Sequence, residues 1–178
     1  MRRITWLAGG LLVLFAAPVV GQEPKGVEPG PEHAKFKKLV GTWDATIAMQ
    51  GNEAKGTMTW HLGLGNLWLL EHFKADLGDM KFEGMGATTY DPAKKQYVSV
   101  WLDSMSTTPM ITHGNYKGDK MVMKGKMNQG GKMMNVTMTS VMKDNNNIVF
   151  TMTTDGPDGN AMEMMKISYK RRQKAQTE

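Results

Sequence analysis

The sequence predicts an all-β fold, an antiparallel up-and-down barrel of about ten strands with a short N-terminal helix closing one end. Three observations carry this reading. From Thr42 onward apolar and polar residues alternate with a period of two, as in strands half-buried in an antiparallel sheet. Turn-forming stretches interrupt the alternation at short intervals: "GNEAKG", "GLGN", "LGDM", "YDPAKKQY", "KGDK", "NQGGK", "KDNNN" and "DGPDGN". No helical periodicity follows residue 41. Sequential strands with short turns favour closure, which leaves no exposed sheet edge.

The elements before the barrel read differently. Met1-Arg2-Arg3 opens onto the apolar run "ITWLAGGLLVLFAAPVV", with small residues Val19 and Gly21 placed for a signal-peptidase cut. A spanning helix needs ~20 apolar residues, and Pro18 and Gly21 interrupt this run. Residues 1–21 are therefore expected to be a cleaved signal peptide. The mature chain is expected to be secreted or periplasmic, with no stable membrane anchor. Residues 22–30 are Pro/Gly-rich and polar, a linker. Pro31 suits a first helical turn, and Phe36, Leu39 and Val40 form a short apolar stripe before Gly41. The barrel domain then spans 31–172, followed by a polar tail, 173–178.

The bulk numbers exclude some classes. The net charge is +5, with lysines scattered and one basic cluster, "KRRQK", near the end, so no nucleic-acid partner is predicted. With no cysteine, no disulfide can help, and the core must hold the fold alone. His33, His61, His72 and His113 lack metal-ligand spacing, and neither a metal nor a cofactor is predicted. No nucleophile elbow or phosphate-binding loop appears. Ser104 follows Asp103 directly, so the two side chains point to opposite faces of a strand. No catalytic residue is predicted, and nothing fixes an oligomeric state.

Turn chemistry sets the register. "LGDM" as a two-residue hairpin loop pairs Leu77 with Met80, which puts Phe73 opposite Gly84, Glu71 opposite Gly86 and Lys74 opposite Glu83. "DPAKKQ" as a four-residue loop pairs Asp91 with Gln96, which puts Trp101 opposite Gly86 and Asp103 opposite Gly84. One face then holds Lys74, Asp76, Lys81 and Glu83 and is expected to meet water, together with Met85, Val98, Val100 and Leu102. The other holds Phe73, Phe82, Tyr97 and Trp101, with Glu71 and Asp103 among them, and is expected to face the interior. A buried carboxylate must be paired, protonated or linked to water. Glu71, Phe73, Tyr97, Trp101 and Asp103 form the predicted ligand-binding set. The alternative is a structural salt bridge or a buried water.

Met is the unusual residue, at 18 positions. Most fall where a strand would carry an inward Leu or Val, and Met fills irregular apolar space. Thioethers also suit Cu(I), so a periplasmic Cu(I)-binding protein stands as an alternative.

"GTW" at the start of the first predicted strand resembles the entry to lipocalin and fatty-acid-binding-type barrels. That resemblance implies that Trp43 closes the barrel base beneath a basic residue of the last strand, and Arg171 is the match. A larger part of the chain is similar to a bacterial family, domain of unknown function 1579. The similarity rests on "LVGTWDATIAM", "FEGMGATTYDPAKKQYVSVWLDSMST", "GPDGNAMEMMKISYKRR" and the lead-in from His33 to Leu39. It implies a lipocalin-like barrel and no activity; the family's Glu71, Asp103 and Ser104 positions are present. The expected function is binding of a small, mainly apolar molecule in a Met-rich cavity. The alternatives are a structural or interaction protein with a filled barrel, and the Cu(I) protein. N-terminal sequencing of protein from its host should find a mature chain beginning near Gln22; an intact Met1 in the membrane fraction would refute export by cleavage.

Overall fold

The structure is a computed structural model that describes residues 26–49 and 51–173. The expected signal peptide, 1–21, lies outside the described residues, as do 22–25 of the linker and 174–178 of the tail. Ten strands follow one another: β1 Gly41–Met49, β2 Asn52–Gly63, β3 Trp68–Asp76, β4 Lys81–Asp91, β5 Gln96–Asp103, β6 Ser106–Lys117, β7 Lys120–Gln129, β8 Lys132–Asp144, β9 Asn147–Asp155 and β10 Ala161–Arg171. Each pairs antiparallel with its neighbours in sequence, and β10 pairs with β1 to close the barrel. The period-two pattern becomes an inside and an outside. Trp43, Ala45 and Ile47 of β1 are buried, as are Ile167 and Tyr169 of β10, while Asp44, Lys166 and Lys170 between them are exposed.

The turn arithmetic matches the register. Phe73 pairs with Gly84, Glu71 with Gly86 and Lys74 with Glu83; Trp101 pairs with Gly86 and Asp103 with Gly84. The Leu77 N–H reaches the Met80 carbonyl at 2.9 Å across the two-residue loop. The Asp91 carboxylate caps the next loop by accepting from the N–H groups of Ala93 and Lys94. On the water side, Glu83 meets Lys74 and His72, and Met85 and Leu102 are exposed.

The N-terminal helix differs from the expectation. A 3-10 helix, His33–Lys38, stands where a short helix of one or two turns was expected. Its hydrogen bonds run from residue i to i−3: His33 to Gly30, Ala34 to Pro31, Lys35 to Glu32. Six residues are too few for a stable α-helix. The segment also buries only His33 and Phe36, and a spacing of three stacks side chains in the 3.0-residue turn of a 3-10 helix. Val40, read as part of the stripe, is exposed.

This segment closes one end of the barrel. Trp43 is 0% exposed and donates its indole N–H to the Leu39 carbonyl at 2.9 Å. Arg171, its partner across the β1–β10 seam, stacks on it with the guanidinium 4.0 Å from the ring centroid. The same guanidinium donates to the carbonyls of Lys38, Val40 and Asn145. One side chain thus ties the 3-10 segment, the start of β1 and the β8–β9 turn together. Such a cation–π contact contributes ~0.5–2 kcal/mol. Trp43→Ala should lower stability by ~3–5 kcal/mol, the range for buried aromatics. Urea unfolding that shows a loss below ~1 kcal/mol, a surface-like value, would refute a closing role for Trp43.

Candidate functional site

Above the closed end the barrel is hollow. A cavity of about 820 Å³ runs from the 3-10 segment and the β6–β7 turn, where Lys35, Phe36, Lys38 and Asp119 line it, up to the mouth formed by the β3–β4, β5–β6 and β7–β8 turns. Its two walls differ in chemistry. β2 to β5 contribute Trp60, Leu69, Phe73, Phe82 and Trp101 together with the polar Glu71, Thr88, Ser99 and Asp103. β6 to β10 contribute a wall rich in thioethers, with Thr112, Ser140 and Glu163 among its polar members. Met123, Met138, Met152 and Met165 are direct cross-strand partners on β7, β8, β9 and β10 and form a continuous row. In all, 15 of the 18 methionines line the cavity, and the exposed Met85 and Met133 point outward.

Trp101 lies flat along the inner face of β4 because Gly84 and Gly86 carry no side chain. A Cβ at Gly84 would fall 2.2 Å from the indole Cζ2, and one at Gly86 would fall 3.0 Å from Cε3. These two glycines therefore fix where the indole rests. Glu71 packs on Gly86 as well, its carboxyl carbon 3.2 Å from that same Cβ position. The indole thus lies between the two carboxylates. At the mouth, Asp103 accepts from the Trp101 N–H at 3.1 Å and from the Met105 N–H at 2.9 Å. Deeper in, Glu71 accepts from the Trp60 N–H at 3.1 Å and the Thr88 hydroxyl at 2.8 Å.

Glu71 is half-buried by accessible area, yet it faces the cavity and not the surrounding water. Burial raises its carboxyl above the ordinary value of 4.5, and the Thr88 and Trp60 hydrogen bonds oppose that rise. Tyr169, on the same cavity wall, is raised by burial and secondarily by the Glu71 charge. No ion pair reaches Glu71 among the described residues; the observed pairs lie on the outer surface.

The predicted ligand-binding residues separate by height. Glu71, Phe73, Trp101 and Asp103 line the cavity. Tyr97 is buried and does not line the cavity; it lies behind Phe36 and Tyr116, which do, at the end carrying the 3-10 segment. Its ring meets Phe36 at 5.8 Å, Tyr90 at 5.1 Å and Tyr116 at 5.5 Å, and its hydroxyl donates to the Glu32 carbonyl at 3.0 Å. Tyr97 is part of an aromatic floor. Ser104 lies outside, where it ties its turn to Glu83 through its N–H and hydroxyl. Trp60, Thr88 and Tyr169 were not singled out as site residues. The "GLGN" turn carried the missing signal, because that hairpin register puts Trp60 opposite Glu71. No group of three or more His, Cys, Asp or Glu residues is placed to hold a metal among the described residues. His113 is exposed on β6.

A closed all-β barrel with one hollow interior defines the class of protein. The chain belongs to the family described as Protein of unknown function (DUF1579), whose model matches residues 28–171. Among solved structures it is similar to Rv2717c from M. tuberculosis, with 10% identity, a TM-score of 0.56 and coverage of 81% of this chain and 99% of that one. That likeness extends to the fold. A looser match is a redesigned β-barrel, b11L5F_LGL, with 17% identity, a TM-score of 0.46 and coverage of 78% and 95%. No curated protein matches the chain.

The Glu71 environment has a pH signature. A carboxyl raised in the folded state holds its proton more tightly there than in the unfolded chain. Its contribution is fully present below the unfolded value near 4.5 and is lost as pH rises through the folded value. Glu71→Gln removes the ionisation and keeps the shape. Relative to the parent, this variant should gain stability as pH rises above 4.5 and then level off. Urea midpoints measured across pH would contradict the assignment if the difference between the two proteins were flat.

Proposed function

We propose that this chain is exported and that its barrel holds one small, mainly apolar molecule, in the manner of a lipocalin. The cavity of about 820 Å³ carries this reading. Small barrels can be filled entirely by their own side chains, whereas this volume falls within the ~300–1,000 Å³ of ordinary ligand pockets. The lining supports the same reading. Apolar walls with a few convergent polar groups (Glu71, Thr88, Ser99 and Asp103) supply affinity from the walls and orientation from the polar groups. Met adapts its rotamers to an irregular guest, so a wall of thioethers accommodates shape without a fixed template.

The row Met123, Met138, Met152 and Met165 favours a second reading, Cu(I) capture by thioethers. The row spreads along one wall, each residue on a different strand. A ligand shell would instead converge on a point, so the row serves the apolar wall better than it serves a metal.

Prodan, an uncharged fluorophore that brightens in apolar surroundings, tests the primary reading. It should bind the barrel saturably at one site and quench tryptophan emission. Ser99→Phe, which places a ring in the cavity between Thr88 and Thr112, should weaken prodan by roughly tenfold or more, equivalent to ~1.4 kcal/mol, with the barrel still folded. Cu(I) added under anaerobic reducing conditions should leave the prodan titration unchanged. Absence of any saturable prodan signal would favour a barrel without a ligand, and displacement of prodan by stoichiometric Cu(I) would favour the metal.

A further inference from the structure

The proposed cavity has one feature that an apolar ligand alone does not explain. Glu71 points a carboxyl group into it with no basic partner among the described residues. Its two oxygens each receive one neutral donor, from Trp60 and Thr88. A carboxylate offers about four lone-pair sites, so acceptor capacity remains on the cavity side. The groups facing it from the packed elements are Trp60 on β2, Gly86 and Thr88 on β4, Trp101 on β5 and Tyr169 on β10. Among them only the Tyr169 phenol titrates. Asp103, the next carboxylate along the wall, lies beyond the Trp101 ring.

We propose that Glu71 receives a cationic, hydrogen-bond-donating group, so that the ligand of this barrel is an amine with an apolar, aromatic body. This inference rests on the ligand-binding reading and names the ligand's chemical class. Three observations carry it. The carboxyl group sits in a cavity, where an opposite charge is worth more than in water. Aromatic groups stand around it, with Trp60 and Tyr169 5.4 Å apart by ring centroids and the Trp101 indole beside it over Gly86. An ammonium held at Glu71 would lie among these rings, and one that reaches a ring face gains cation–π attraction. Across the cavity the thioether row offers sulfur contacts to a flat aromatic body. The same geometry opposes a fatty acid, whose own carboxylate would meet Glu71 at this end.

Three naphthalene probes of one shape test this: 1-naphthylmethylamine, 1-naphthalenemethanol and 1-naphthoate. In calorimetric titrations of the mature chain at neutral pH, the amine should bind about tenfold or more tightly than the alcohol, and the carboxylate most weakly. Glu71→Gln should bring the amine down to the affinity of the alcohol. A second measurement needs no variant. In buffers of different ionisation enthalpy, the amine should release a proton fraction on binding and the alcohol none, because a cation beside Glu71 drives its ionisation. If alcohol and amine bind equally, or the carboxylate binds best, the inference is overturned while the ligand-binding reading stands. If none of the three binds, and prodan does not bind either, both are overturned.

Discussion

The structure depends on the seam where the last strand meets the first. An open ten-stranded sheet would present two unpaired edges and one apolar face, with no disulfide to restrain either. Pairing β10 with β1 removes both edges and turns the apolar face into an interior. The seam is fastened at one end by Trp43 and Arg171. They are cross-strand partners, and their stacked contact also anchors the 3-10 segment. Arg171 is held by three carbonyls and an aromatic face, a surface no lysine could match with a single point charge. Closure by this pair makes one end a floor and leaves the other as a mouth.

The floor and the walls divide the labour of the core. Near the closed end, edge-to-face rings pack tightly: Trp43 with Trp60 at 5.7 Å, Phe36 with Tyr97 at 5.8 Å and Tyr90 with Tyr97 at 5.1 Å. Such pairs add ~0.5–1.5 kcal/mol each beyond burial. Higher up, β6 to β10 replace rings with thioethers. An unbranched side chain with several rotatable bonds lines a cavity at little steric cost.

The alternation and the turns made most of this architecture legible. Two turn assignments predicted the pairing of three strands, residue by residue, because period two leaves no intermediate register. The glycines under Trp101 followed from the same arithmetic. Height along the barrel was not legible. Tyr97 has the inward parity of Trp101, yet four residues separate them, ~13 Å along a strand. That distance moves Tyr97 from cavity to floor. Parity reports which side a residue faces, and only the position of the 3-10 segment reports how deep the floor reaches. The 3-10 form of the segment was not legible either: packing uses His33 and Phe36 with Leu39 beside them, whereas Val40 of the apolar stripe is exposed. The Trp60–Glu71 pair was within reach of the same turn reasoning, applied one hairpin earlier.

Glu71 connects these themes. The Arg171 guanidinium stacks on Trp43, Trp43 meets Trp60 edge-on, and the Trp60 N–H donates to Glu71. The barrel's closing contact and its cavity carboxyl group therefore share a chain of packed side chains. That acid stabilises nothing by itself. A buried carboxylate without a cation is costly, and two neutral donors offset only part of the cost. A leucine among Trp60, Leu69 and Phe73 would satisfy packing alone. Departures from a burial pattern are expected at functional or strained sites. At Glu71 aromatic rings, a half-satisfied carboxyl group and open volume meet.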